Sequence, residues 1–149
     1  MTALVSAENV AKFMISYSYS KNKPISNLQL QKFLYFCWIE YYKKSDGERL
    51  FDDAFYAWKF GPVIPDIYYQ YCANGGLPIT ERYDVKLGKA EGAVKQFVDL
   101  HSSQNPFILV SKSHEPDHAW DLVFNSDGNG SGNRQIIPFD LIIDKECIQ

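Results

Sequence analysis

After Ser6, apolar residues fall at Val10, Phe13, Met14 and Tyr17, three or four apart, the period that lines one face of a helix. Ser6 suits an N-cap, and Val5 before it can pack on Val10 to fix the entry of the chain. The polar run Ser20–Lys23 and then Pro24 end this first helix. A second start signal follows at once. Ser26 can accept from the backbone N–H of Gln29 while the Gln29 side chain reaches back, and Ile25 and Leu30 stand where a hydrophobic staple would sit. The helix it opens should run from Asn27 to about Lys44, burying Leu30, Phe33, Leu34, Cys37 and Tyr41 on one stripe. Ser45-Asp46-Gly47 closes it, the glycine supplying a left-handed conformation.

From Phe51 to Phe60 the pattern changes to a rough alternation rich in aromatics, which predicts a short extended segment near residues 54–60. Gly61-Pro62-Val63-Ile64-Pro65 then reads as a rigid turn, with two prolines fixing φ and removing two donors. Pro65 fits a first helical position and Asp66 favours the helix dipole, so a third helix carries Ile67, Tyr68 and Tyr71 and stops at Asn74-Gly75-Gly76. Downstream, Ala90, Ala93, Val94, Phe97 and Val98 form a stripe ending near His101, and Asn105-Pro106 opens a short helix through Val110. Asp117 can cap a helix holding Trp120 and Phe124. Residues 126–132 form a small polar, glycine-rich loop, and Pro138 starts a final helix with Phe139, Leu141, Ile142 and Ile143. The pattern predicts a mainly α protein: one compact helical domain over residues 1–149 with a short extended segment.

Composition sharpens this. A hydrophobic fraction of 46% and a charged fraction of 22% in 149 residues are those of an ordinary soluble domain. The aromatic fraction of 15%, with ten tyrosines, exceeds what a core needs and points to a binding surface. Net charge is −3, so no global positive field favours nucleic acid. Cys37, Cys72 and Cys147 form no C-x-x-C pair, which argues for reduced thiols in the cytoplasm. No basic stretch followed by an apolar one opens these residues and no apolar run approaches membrane-spanning length, so a soluble, cytoplasmic protein is expected.

Candidate chemistry is sparse. Cys37 lies within an apolar stripe, where a thiol is inert. His114 and His118 have i, i+4 spacing, but Pro116 between them discourages a continuous helix, and no metal site or cofactor is expected. The 127–132 loop lacks the Lys-Ser/Thr of a phosphate loop and the regular carboxylates of a calcium loop. Asp52 and Asp53 are neighbours that would point to opposite faces of a strand, so they suit capping or turn bonds better than acid–base work. From the residues alone, the chain reads as a binding module without catalytic activity.

The run Asn27-Leu28-Gln29-Leu30-Gln31-Lys32-Phe33-Leu34-Tyr35-Phe36, with Ala57-Trp58-Lys59-Phe60-Gly61-Pro62-Val63-Ile64-Pro65, resembles the Panacea domain of SocA-like antitoxins and phage-associated GepA-type proteins. The segment Leu109 to His114, Trp120, and Ile136 to Ile143 as a closing helix are similar to that family too, although Asp117-His118-Ala119 departs from its pattern. The resemblance implies an antitoxin that neutralises a cognate toxin by direct protein–protein contact. It also implies two alternatives: a proteolytic adaptor delivering the toxin to a ClpXP-type protease, or a phage-associated protein acting on a host factor. Many relatives carry a separate DNA-binding domain, for which 149 residues leave no room, so direct nucleic-acid binding is not expected. Candidate partner-binding residues are Lys32, Tyr35, Trp58, Phe60, Gly61, Pro62, Tyr68, Tyr69, His114 and Trp120. Lys32 and Tyr35 lie three apart on one helix face, and the proline-stiffened turn would hold Trp58, Phe60, Tyr68 and Tyr69 at low entropic cost. The same residues also have a plain structural reading, as core and as a turn the fold requires.

Overall fold

The computed structural model describes residues 5–148, and its fold is organised around the second helix. Helix α1 (Ala7–Ser20) and helix α2 (Asn27–Lys44) start where their caps predict: Ser6 accepts from the N–H of Asn9, and Ser26 and Gln29 form the full capping box. Gly47 beyond α2 has φ +98°, as the turn there requires. Burial of α2 is not confined to a stripe, however. Every residue from Leu30 to Ile39 is buried, because α1, α4, α5, the sheet and the C-terminal turn all pack around it. A helix that is apolar on all sides is a core element, and Phe36, Trp38 and Ile39 outside the expected stripe supply the other faces.

The extended segment is strand β1 (Phe55–Trp58), and the rigid turn that follows is itself strand β2 (Gly61–Val63). The two pair antiparallel with Trp58 opposite Gly61, so Lys59 and Phe60 form the two-residue tip of a tight hairpin. Pro62 is tolerated because β2 is a sheet edge. A third strand was not expected from the sequence. Strand β3 (Gln135–Ile137) pairs antiparallel on the other side of β1, placing Ile136 in a strand rather than in the closing helix. Three residues are too few for a period to declare itself; only the partner β1 defines the strand.

Helix α3 (Pro65–Gln70) has Pro65 at its start, and a short 3₁₀ turn, Cys72–Asn74, follows. Helix α4 (Glu91–His101) matches its stripe, and helix α5 (Pro106–Ser113) is capped by Asn105 but runs past Val110, since nothing breaks it before Pro116. Helix α6 (Ala119–Phe124) is entered through His118, not Asp117. Asp117 has φ +64°, and its N–H donates to Asp121 at 2.9 Å, so the acid that satisfies this helix start lies inside the helix. Helix α7 (Phe139–Ile142) leads into a wide turn of π type, Ile143–Cys147. Asp53 carries a long-range role: its carboxylate accepts from the N–H of Ala7 at 3.0 Å and so joins the strand approach to the start of α1.

Candidate functional site

Polar residues of α2 position the hairpin and α3. Asn27 Nδ2 donates to the Tyr68 carbonyl at 3.0 Å, Gln31 Nε2 donates to Asn27 Oδ1 at 3.2 Å, and Gln31 Oε1 accepts from the N–H of Ile64 at 2.9 Å. The next residue, Lys32, donates from Nζ to the Pro62 carbonyl at 2.9 Å. These bonds satisfy the edge of β2 and the start of α3, neither of which has a side-chain cap of its own. The sequence signal for this network is the pair Asn27 and Gln31, amides at i, i+4 on a helix whose next two turns are mainly apolar.

Lys32 is 1% exposed and has no carboxylate beside it among the described residues, and burial alone pushes its pKa down to about 7. Against its ammonium lies Gly61, at φ +112°; a Cβ there would lie 2.7 Å from Lys32 Nζ and 2.8 Å from Ser113 Oγ. The glycine therefore answers both an unusual backbone and a close approach. His114 follows Ser113, its ring stacked on Trp120 at 4.0 Å between centroids, and its Nε2 is buried with no hydrogen-bond partner among the described residues. Burial and then the nearby Lys32 charge lower its pKa, while the Phe60 backbone works the other way. Trp120 in turn donates from Nε1 to the Trp58 carbonyl at 2.7 Å. Lys32, His114 and Trp120 are thus gathered against Gly61, Pro62 and the rest of one hairpin, which spacing along the chain could not show.

Above that floor lies an aromatic face. Trp58 packs edge-on to Tyr68, with centroids 5.2 Å apart, and also touches Tyr69 at 5.8 Å. Phe60 at the hairpin tip is 62% exposed and Tyr69 is 54% exposed. Beside Phe60 opens a cavity of about 240 Å³ lined by Asn27, Leu28, Trp58, Phe60, Val63, Tyr68, Cys72 and Gly75. No lining residue is charged. Lys59 lies over the Phe60 ring at 5.9 Å and the Arg134 guanidinium over the Trp58 ring at 4.9 Å. Leu28, Cys72 and Arg134 were not among the sequence candidates; they join the site only through the fold.

Tyr35 does not belong to this face. It is fully buried, packs edge-on to Phe36 and Phe55, and donates to Glu146 at 3.1 Å. Glu146 also meets His118 Nδ1, so His118 and His114 have different partners. Among the described residues no group of three or more His, Cys, Asp and Glu is placed to hold a metal ion. The Cys37 thiol is pushed far up by burial, and that of Cys147 is raised to about 11, mainly by burial. No helix of the described residues is long and apolar enough to cross a membrane.

The model of the "Antitoxin SocA-like, Panacea domain" family matches residues 30–105, a span that includes most of α2, the hairpin and α3. "Antitoxin SocA" of Caulobacter vibrioides (strain NA1000 / CB15N) is 32% identical over 143 residues, covering 86% of this chain and 75% of the relative. This chain belongs to the SocA-like antitoxin family with the Panacea domain. No solved structure matches it.

Proposed function

We propose that the protein is an antitoxin that neutralises a cognate toxin by direct binding, acting as a binding protein and not as an enzyme. Family membership supports the antitoxin role, and one observation supports the surface. Exposed Phe60 lines an apolar cavity with Trp58 and Tyr68, and exposed Tyr69 packs against both of those last two rings, on backbone that Lys32, Gln31 and Asn27 hold in place. Rigid aromatics around a dry pocket concentrate binding energy at little ordering cost. Lys32, Gly61, Pro62, His114 and Trp120 contribute to this surface by shaping it from beneath, and Tyr35 by supporting the core.

The test is co-expression with the product of the neighbouring reading frame, scored by survival and by affinity of the purified pair. Wild-type chain should rescue growth; Phe60→Ala and Trp58→Ala should each weaken binding by about 2 kcal/mol or more, roughly thirtyfold. A harmless neighbouring product would overturn the antitoxin reading and leave the alternative of a phage-associated protein acting on a host factor.

A second reading, delivery of the toxin to a ClpXP-type protease, is favoured by one feature. Phe107 and Ile108 on α5, 66% and 51% exposed, line a separate shallow groove that a second partner could occupy. A shortened toxin half-life that depends on that protease would separate delivery from occlusion.

A further inference from the structure

The cavity beside Trp58 has features that specify its occupant. At about 240 Å³ it is smaller than the range of roughly 300–1,000 Å³ in which small-molecule and cofactor sites fall, and it suits one large side chain. Its lining is apolar or neutral, so that side chain is itself apolar. The rim is not neutral. Lys59 and Arg134 lie on the faces of Phe60 and Trp58, two of the rings that wall the cavity, and among the described residues neither forms an ion pair with a carboxylate. Stacking on a ring orders each cation before any partner arrives and leaves its outward side free to donate. In a chain of net charge −3, two unpaired cations beside the one uncharged aromatic cavity form a local reversal of sign. Complementary charge across an interface governs encounter and choice of partner.

We infer that the cavity docks a segment of the partner protein that inserts one large apolar side chain between Phe60 and Tyr68 and sets acidic residues beside it, against Lys59 and Arg134. The identity of that partner as a toxin rests on the proposed function; the chemistry of the docking segment does not. Phe, Trp or Leu would fill the pocket, and a carboxylate next to it in sequence would reach a rim cation. A basic flank would meet like charge.

The test uses the purified chain as bait for a phage-displayed library of random peptides, with selected peptides then titrated by fluorescence anisotropy. Peptides bearing Phe, Trp or Leu beside Asp or Glu should enrich, and Phe60→Ala, an exposed position that need not disturb the fold, should abolish their binding. Charge reversal at both rim positions, Lys59→Glu with Arg134→Glu, should weaken an acidic peptide on the order of tenfold, and a Lys-flanked version should then bind better than the acidic one. Enrichment without an acidic flank, indifference to the reversal, absence of any enriched apolar anchor, or a dimer of this chain that buries Phe60 would each overturn the inference. The co-expression assay reports on the antitoxin reading separately: rescue that survives the charge reversal sinks the docking chemistry alone, whereas peptide selectivity without a toxic neighbour sinks the antitoxin reading alone.

Discussion

Lys32 and Gly61 show how one residue can set the terms for a surface it does not reach. The Lys32 ammonium holds the Pro62 carbonyl but lacks a counter-charge, so folding discourages its protonation. Its pKa lies near 7 when folded and near 10.5 when unfolded. Below about pH 7 both states are protonated and the burial cost is complete; as pH rises towards 10.5 the unfolded chain still holds the proton that the folded chain has lost, so stability rises with pH. Urea melts from pH 7 to pH 8.5 should therefore show wild type gaining on Lys32→Met with a slope that climbs from about half of 1.4 kcal/mol per pH unit at pH 7 towards about 1.4 at pH 8.5, the range stopping short of the region where buried Cys37 opposes the trend. Equal pH slopes in the two proteins would contradict this account. Gly61→Ala places a methyl group against Lys32 Nζ and Ser113 Oγ at a φ that side chains resist, and should cost about 2–3 kcal/mol in thermal or urea unfolding.

Among elements, α2 bears the most. Its capping box satisfies the first N–H groups of an eighteen-residue helix at the point where Asn27, Gln31 and Lys32 must be in register with α3 and β2. Ser26→Ala should lower stability by about 1 kcal/mol, measured by denaturant unfolding, and Ser26→Asp should restore it, since an Asp carboxylate can accept the same N–H. The hairpin depends on this helix more than on its own pairing, because strands of four and three residues bring few ladder bonds. Amide exchange at the Lys59–Val63 segment should accordingly rise in Lys32→Met while α1 stays protected.

At the scale of the molecule, distant parts of the chain converge on α2. Glu146 in the C-terminal turn accepts from Tyr35 of α2 and meets His118 at the start of α6, so one carboxylate joins three elements. Its charge is the first specific partner, after burial, that raises the Tyr35 phenol pKa. Glu146→Ala leaves a buried hydroxyl unpartnered and should cost roughly 2 kcal/mol, while in Tyr35→Phe the same change should cost about 1 kcal/mol less. Additive losses in the double mutant would show that the two groups do not act together. The aromatic face then follows from assembly: Trp58 comes from β1, Phe60 from the hairpin tip, Tyr68 and Tyr69 from α3, and Arg134 from beyond the glycine-rich loop.

The sequence by itself determined what short-range chemistry determines. The caps at Ser6 and Ser26, the close at Gly47, Pro65 at the start of α3 and the stripe of α4 are each decided by residues within a few positions of one another, and each stands where the pattern predicts. The family was legible too, in the motifs at residues 27–36 and 57–65. What only the tertiary structure decided depends on partners far along the chain. Strand β3 exists because β1 is beside it, the turn into α6 is held by Asp121 from within and by Glu146 from the C-terminal turn, and the second face of α2 is buried because five other elements reach it. The candidate site divides along the same line. Its aromatics could be named from one stretch of sequence, but Tyr35 was separated from them, Arg134 and Cys72 were brought to them, and Lys32 was placed beneath them by packing alone, since burial and charge at a position belong to neighbours that no local pattern encodes.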